Sequence, residues 1–425
     1  MKNKNPWSPE ETNRLLKLRS EGKTNQEIAE ALGRSYRSVT GRVLGLPSAA
    51  PATPKPLEHE PDYTADQERA AAMHWQTRYK QLKGKYEKIL HESTVIDSLV
   101  TDIRSLAPTS YSSAPAVIKN RTTSGTSQSA LLLFSDTHVG QTISPDQTLG
   151  FGEYNFSVFL SRLKYLEESV ISILENHTTT KIDELVIAML GDMLHGALNH
   201  GAEADQQVTL FEQYYSAGHA IAQFFRNLAP HVPVLKIKTV VGNHTRWMNQ
   251  HKMPTGNRFS NLDMFLYALT EALTSDIKNI EWDLNKQPFS VFTIQGHVIR
   301  ASHGDHLRGG DKSLGIPNHA IAREISATTQ LFAKHGQQAP HLYVCGHLHR
   351  SIQLPHALGE VIVNGGFPGL DGYALAGNFN PIDPTQRLLF VHPKYGRTAE
   401  YTLSLKFAEK FEEPPYAIPG NFAAA

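Results

Sequence analysis

The sequence predicts an α/β layered core preceded by a small all-α trihelical domain and a helical connector. Three observations carry this. From about residue 130 to 400, short β-type runs alternate with amphipathic helical stretches, the pattern of a layered α/β domain. The first 46 residues instead show two helix-capping signatures and two glycine turns. Stretches rich in Pro, Ser and Thr separate the parts. At 425 residues the chain has room for several domains, one with a large core.

The elements follow in order. Ser8-Pro9-Glu10-Glu11 is a capping box with Pro at the first helical position, followed by Leu15, Leu16 and Leu18 as an apolar face and Gly22 as the stop. Thr24-Asn25-Gln26-Glu27 is a second box, leading into Ile28, Ala29, Ala31 and Leu32, with Gly33 at the turn. Ser35 can cap a third helix through Tyr36, Val39, Val43 and Leu44. Helix, glycine turn and helix at this spacing form a helix-turn-helix pattern. With Trp7 at its start, the segment 1–46 resembles Myb-like trihelical DNA-binding domains. Residues 1–50 carry nine Lys/Arg against five Asp/Glu. The resemblance implies DNA as a partner. Arg37 and Ser38, with Tyr36 beside them, would lie where a recognition helix meets base edges, and Arg34 and Arg42 would suit phosphates. The plainer alternative is a solvated helix face or a protein-binding domain.

Residues 47–63 read as a Pro-rich linker. From 64 to 106, Trp75, Tyr79, Leu82, Tyr86, Ile89, Ile96, Val100 and Ile103 fit steps of four and three, interrupted at Ser93. That heptad seam suits a coiled coil pairing two chains into a homodimer, or a single helix docked on the following domain. Residues 107–129 read as a second, flexible linker, 130–400 as the catalytic domain, and 401–425 as a tail.

In the 130–400 region the β-type runs are Leu131–Phe134, Leu185–Met189, Val234–Val241, Val291–Ile294, Val298–Ala301, Leu342–Val344 and Val361–Val363. Helical patterns occur around Phe156–Leu174, Val208–Leu228, Leu262–Leu273 and Ala320–Lys334. The first run exits into Asp136 and His138, and the second into Gly191-Asp192-Met193-Leu194-His195-Gly196. The third exits into Gly242-Asn243-His244, and the hairpin strand into Ser302-His303-Gly304-Asp305-His306. Leu342–Val344 exits into Cys345-Gly346-His347-Leu348-His349. Open α/β sheets build sites outside the carboxyl ends of their strands. Five such exits deliver carboxylate, amide and imidazole donors. A lone His such as His195, His200 or His306 reads first as a hydrogen-bonded structural residue.

The ordered set D-x-H, G-D-x-x-H-G, G-N-H, H-G and G-H-x-H resembles the calcineurin-like metallophosphoesterase superfamily over roughly residues 130–370. The resemblance implies an αββα sandwich of two mixed sheets and a centre holding two divalent metal ions. Mn²⁺ is favoured, with Fe and Zn²⁺ also suited to these donors. By position, Asp136, His138 and His349 would hold the first metal and Asp192 would bridge both. Asn243, His303 and His347 would complete the second, and His244 would be catalytic, protonating the leaving oxygen or stabilising charge on it in the transition state. Many relatives carry an acidic residue after this His to orient its ring; here Thr245 stands there. Protein Ser/Thr phosphatases read G-D-x-V-D-R-G at the second motif, and the Arg is missing here. A His at the place of His195 is more similar to the DNA-repair exonuclease branch, some of whose members work with an ATPase. Arg246, Arg308 and Arg350 join His195 as candidate substrate contacts, and Trp247 and Lys312 lie near the same motifs.

Composition bounds the remainder. Lys plus Arg and Asp plus Glu both number 41, so formal net charge is zero. The single cysteine, Cys345, excludes an internal disulfide framework and suggests a reducing compartment. The first residues show no apolar signal-peptide core, and no stretch approaches about 18 apolar residues. A cytoplasmic protein with no membrane partner is the expectation. The function expected is a DNA nuclease that uses a metal-activated water. The alternatives are a phosphatase or phosphodiesterase for small nucleotides or modified nucleic-acid ends, and a DNA-binding regulator with a degenerate catalytic domain.

Overall fold

The computed structural model describes residues 7–44, 125–196, 209–246, 261–309, 316–372, 375 and 383–418. It divides into two compact units, Met1–Gly84 and Lys85–Ala425. The heptad segment 64–106 and the homodimer expected through it lie outside the described residues, as do both linkers up to residue 124.

The first unit holds α1 (Pro9–Ser20), α2 (Asn25–Ala31) and α3 (Tyr36–Leu44). Both expected capping boxes form. Ser8 and Thr24 accept from Glu11 N and Glu27 N, and each Glu side chain accepts from the cap's own N–H. Leu15, Ile28, Ala29 and Val39 make the core, with Trp7, Leu18 and Leu32 packed on it. Leu16, expected on the apolar face, is exposed, because one residue along a helix turns about 100° away from Leu15.

The second unit is an αββα sandwich. Its elements are β1 (Gln128–Phe134), α4 (Phe156–Ser172), β2 (Ile182–Met189), α5 (Leu210–Leu228), β3 (Leu235–Thr239), α6 (Leu262–Leu273) and β4 (Ile280–Asp283). There follow β5 (Ser290–Ile294), β6 (His297–Ser302), α7 (Asn318–Lys334), β7 (Leu342–Cys345), β8 (Ile352–His356), β9 (Gly359–Val363), β10 (Thr385–His392) and β11 (Gly396–Ser404). One mixed sheet runs β11-β10-β1-β2-β3-β4, the other β5-β6-β7-β9-β8.

Alternation along the strands builds the layers. Leu131, Leu133, Val186 and Ala188 face Ile299, Ala301, Val344 and Ile362 between the sheets. The other face of the first sheet, Leu132, Phe134, Ile187 and Met189, packs against Phe159, Leu163, Phe224 and Leu266 of α4, α5 and α6. Tyr343, Cys345 and Val363 of the second sheet meet Ala320 and Ile321 of α7. Strands β1, β2 and β3 pair in parallel, as do β6, β7 and β9. Each parallel set therefore delivers its exits to one end.

The strand runs read from the sequence all form. β4, β8, β10 and β11 are additional. The last of these passes the boundary expected at residue 400, and the chain beyond it also packs. Leu405 and Tyr416 are buried, the Tyr416 hydroxyl donates to Glu167 Oε2 at 2.8 Å, and Ala417 N donates to Gln223 Oε1 at 2.9 Å. No helix among the described residues is long and apolar enough to cross a membrane.

Candidate metal centre

The exits of β1, β2, β3, β6 and β7 converge. Asp136 N donates to Gly191 O and His138 N to Asp192 O, joining the first two. The His303 ring, Nδ1 to Leu190 O at 2.8 Å, joins the second sheet to the first. Gly346 N donates to His303 O. Seven non-glycine residues among those described have positive φ, and five of them are expected ligands: Asp136 (53°), His138 (43°), Asp192 (53°), His347 (68°) and His349 (51°). That backbone region costs an L-residue roughly 1–2 kcal/mol, and strain of this kind concentrates at functional sites. Two glycines of the motifs have a steric reason. A Cβ on Gly242 would overlap Asp192 Oδ1, and one on Gly346 would overlap Asp136 Oδ2.

The seven expected ligands come together in two groups. Asp136, His138 and His349 form one, with donor atoms within 4.8 Å of one another, and Asp192, His303 and His347 form the other. Asn243 joins the second through Oδ1, 3.0 Å from His303 Nε2. His138 also gathers with His195 and His244 in a third, all-imidazole group. Asp192 Oδ1 accepts from Asn243 N at 2.7 Å and His244 N at 2.9 Å, while Oδ2 lies 2.9 Å from His303 Nε2. Its oxygens thus sit with the second group.

The electrostatics are those of a buried anionic centre. Burial opposes charge on His303, but the Asp192 carboxylate overrides it and raises the imidazole to about 10. Burial likewise opposes the Asp192 charge, yet His303 and His244 hold it well below the usual range. Burial pushes His138 down, and brings His195 and His347 to about 4. His349 is raised against burial by Asp136, 3.4 Å away. His138 Nδ1 and both His195 ring nitrogens are buried without a hydrogen-bond partner. Orphaned imidazoles beside carboxylates fit divalent ions that prefer mixed nitrogen and oxygen donors.

His244 sits at the junction. Its ring is 4.5 Å from His138 and 5.6 Å from His195, centroid to centroid. The orienting group missing at Thr245 is supplied by the main chain: His244 Nδ1 lies 3.0 Å from His195 O. Donation there assigns the proton to Nδ1 and leaves Nε2 for chemistry.

Sequence reasoning missed Asp263 and Asn261 on the first turn of α6. Asp263 accepts from the N–H groups of Asp192, Met193 and Gly242 at 3.0, 3.2 and 2.8 Å. Burial and the neighbouring Asp192 raise it to about 6. The Asn-Leu-Asp signal was visible, as a helix cap at the start of an apolar pattern.

The expected substrate and DNA contacts divide. Arg246 is not a free cation: its Nη2 donates to Asp305 Oδ2 at 2.8 Å, tying the β3 exit to the β6 exit. Arg308 is exposed and Arg350 half-buried; Trp247 and Lys312 lie outside the described residues. His306 is structural, 2.8 Å from Glu324 Oε1; His200 also lies outside the described residues. In the trihelical unit Arg34 pairs with Glu11 through Nε at 3.0 Å and Nη2 at 2.8 Å, and stacks 4.9 Å over Trp7. Arg42 donates to Thr12 Oγ1 at 3.1 Å. Both guanidinium groups thus tie their residues to α1 within the domain. Tyr36 is exposed and Ser38 half-buried; the Arg37 side chain lies outside those described.

No protein-family model matches the chain, and no curated protein does. Solved structures align with it. An archaeal phosphodiesterase is 13% identical over 64% of this chain and 99% of its own, with a TM-score of 0.29. YfcE, a phosphoesterase from E. coli, is 11% identical over 65% and 100%, with a TM-score of 0.27. Vps29 from Entamoeba histolytica, complexed with zinc, is 10% identical over 65% and 99%, with a TM-score of 0.28. At these identities and scores the likeness carries no argument for this chain.

Proposed function

We propose that the chain is a two-metal phosphodiesterase that hydrolyses DNA, with the trihelical unit holding the nucleic acid. The observation that carries this is the gathering of seven donors from five strand exits into two adjacent groups, with His244 beside them. Asp136, His138 and His349 would hold one ion. Asn243, His303 and His347 would hold the other together with Asp192, whose oxygens lie in that group. Bound ions supply charge stabilisation at the phosphoryl oxygens and a water made acidic enough to attack near neutral pH. His244, oriented by the His195 carbonyl, would take a proton from the attacking water at Nε2 and pass it to the leaving oxygen. No thiolate is present in the donor set, which favours Mn²⁺ and leaves Fe and Zn²⁺ as fits.

DNA as substrate rests on two supports: the G-D-x-x-H pattern ending at His195, without the Arg of the phosphatase motif, and the positive excess of residues 1–50. Tethering a DNA-binding unit to the centre raises the local concentration of the scissile strand. One observation favours the second reading, a hydrolase for small nucleotides or modified ends. Arg34 and Arg42 are engaged within their own domain. The regulator reading is disfavoured, since every donor position is filled and gathered. The test is Mn²⁺-dependent cleavage of end-labelled linear duplex and closed circular DNA, beside Asp192→Ala. Cleavage by the wild type alone supports the nuclease, and nicking of the circle identifies endonuclease action. Hydrolysis of a small phosphodiester with neither DNA cut supports the second reading.

A further inference from the structure

We propose that Thr245, Asn261 and Asp263 form a clamp that positions the second metal group, giving Thr245 a positioning role where relatives carry an acidic residue. The inference rests on the two-metal reading. Asp192 and Asn243 belong to one group but come from the exits of different strands, β2 and β3. A metal site needs its donors held to within about half an ångström. The first turn of α6 supplies that restraint.

Asp263 Oδ2 bridges the two exits, accepting from Asp192 N at 3.0 Å and Gly242 N at 2.8 Å, while Oδ1 accepts from Met193 N at 3.2 Å. Asn261 Nδ2 donates to Gly242 O at 2.9 Å, and its Oδ1 accepts from Thr245 Oγ1 at 2.5 Å and from Asp263 N at 2.9 Å. Thr245 O in turn accepts from Leu262 N at 3.2 Å. All three residues are almost wholly buried, Asp263 at 0%, Asn261 at 1% and Thr245 at 2% exposure. Capping α6 needs only the Asn261 side chain on Asp263 N. The remaining bonds leave the helix and end on the loops that carry the ligands. None of the clamp bonds reaches Asp136 or His347, whose loops are joined separately by His347 N on Asp136 Oδ1 at 3.0 Å. The His195 carbonyl orients His244, so the next residue need not be acidic, and its hydroxyl closes the clamp.

The test uses the full-length protein and two readouts. In metal-free protein, hydrogen exchange at the amides of Asp192, Met193 and Gly242 is expected to accelerate at least tenfold in Asp263→Asn. It should also rise at Gly242 in Thr245→Val, which keeps the shape and removes the hydroxyl. Thr245→Ser restores protection. With Mn²⁺, followed by electron paramagnetic resonance, both variants are expected to lose one ion's affinity by about 10–100-fold. They should show a mononuclear signal where the wild type shows a coupled pair. Wild-type exchange in both variants overturns the clamp, whatever the metals do. So does equal weakening of both ions with a lowered Tm, which marks general destabilisation. If the wild type never takes two ions, the two-metal reading fails, and the exchange data still decide the clamp.

Discussion

Gly242 has no side chain because Asp192 Oδ1 fills the space a Cβ would take. Gly242→Ala is expected to lower stability by about 1–3 kcal/mol, the usual cost of overpacking, and to abolish binding of the second ion. A denaturant titration and a count of bound Mn²⁺ check this. Arg246 makes a different kind of prediction. Its pair with Asp305 is mostly buried, at 15% and 11% side-chain exposure. Arg246→Ala should cost about 1–3 kcal/mol, between exposed and fully buried pairs, while KM for a small phosphodiester stays at the wild-type value. A raised KM with unchanged stability would return Arg246 to the substrate. The ligands themselves were legible because each follows an apolar run at short range. Asp263 was not, because its partners are backbone N–H groups 71, 70 and 21 residues away. No local pattern marks such a contact, and the same holds for the His195 carbonyl behind His244. The partners of the arginines were hidden for a related reason: charge shows in a sequence, and the Asp305, Glu11 or Thr12 oxygen that meets it does not.

At the scale of elements, α1 and the start of α3 are joined by Glu11 and Arg34. The hydrogen bond from Arg34, helped by the Ser8 N–H, lowers the Glu11 carboxyl from 4.5 to about 2. A carboxyl depressed in the folded state stabilises above its unfolded value and loses that contribution as pH falls through the folded one. Protection of the α1 amides is therefore expected to decline between pH 4.5 and about 2. Glu11→Gln should remove this step, as amide exchange across the range will show. The two capping boxes that start α1 and α2 were readable because they are local chemistry. The strands that carry ligands were readable as buried, continuous apolar runs. β4, β8 and β11 were not: they lie at or near sheet edges with mixed burial, and their residues alternate with polar ones. β10 is the exception, since Leu388–Val391 is an apolar run that the pattern does contain.

At the scale of the molecule, the trihelical unit and the sandwich each have their own core. Removing residues 1–46 is therefore expected to leave hydrolysis of a small phosphodiester intact. It should weaken DNA binding and flatten its salt dependence, because fewer phosphates are neutralised. Binding measured at several salt concentrations, with and without the segment, tests this. The trihelical unit and the sandwich were legible from capping boxes and from strand–helix alternation; the linker 47–63, the heptad segment 64–106 and most of 107–129 lie outside the described residues. The depth of packing after residue 400 was not legible, because Tyr416 is a single ring among Pro and Ala, and its partner Glu167 is distant in sequence. Phosphodiester hydrolysis with two ions at the strand exits is tested by following bis(p-nitrophenyl) phosphate with the full chain as Mn²⁺ is added, beside Asp192→Ala. Turnover that saturates at two ions per chain and vanishes in Asp192→Ala is predicted. Turnover equal in both proteins, or none with Mn²⁺, Fe²⁺ or Zn²⁺, would contradict it.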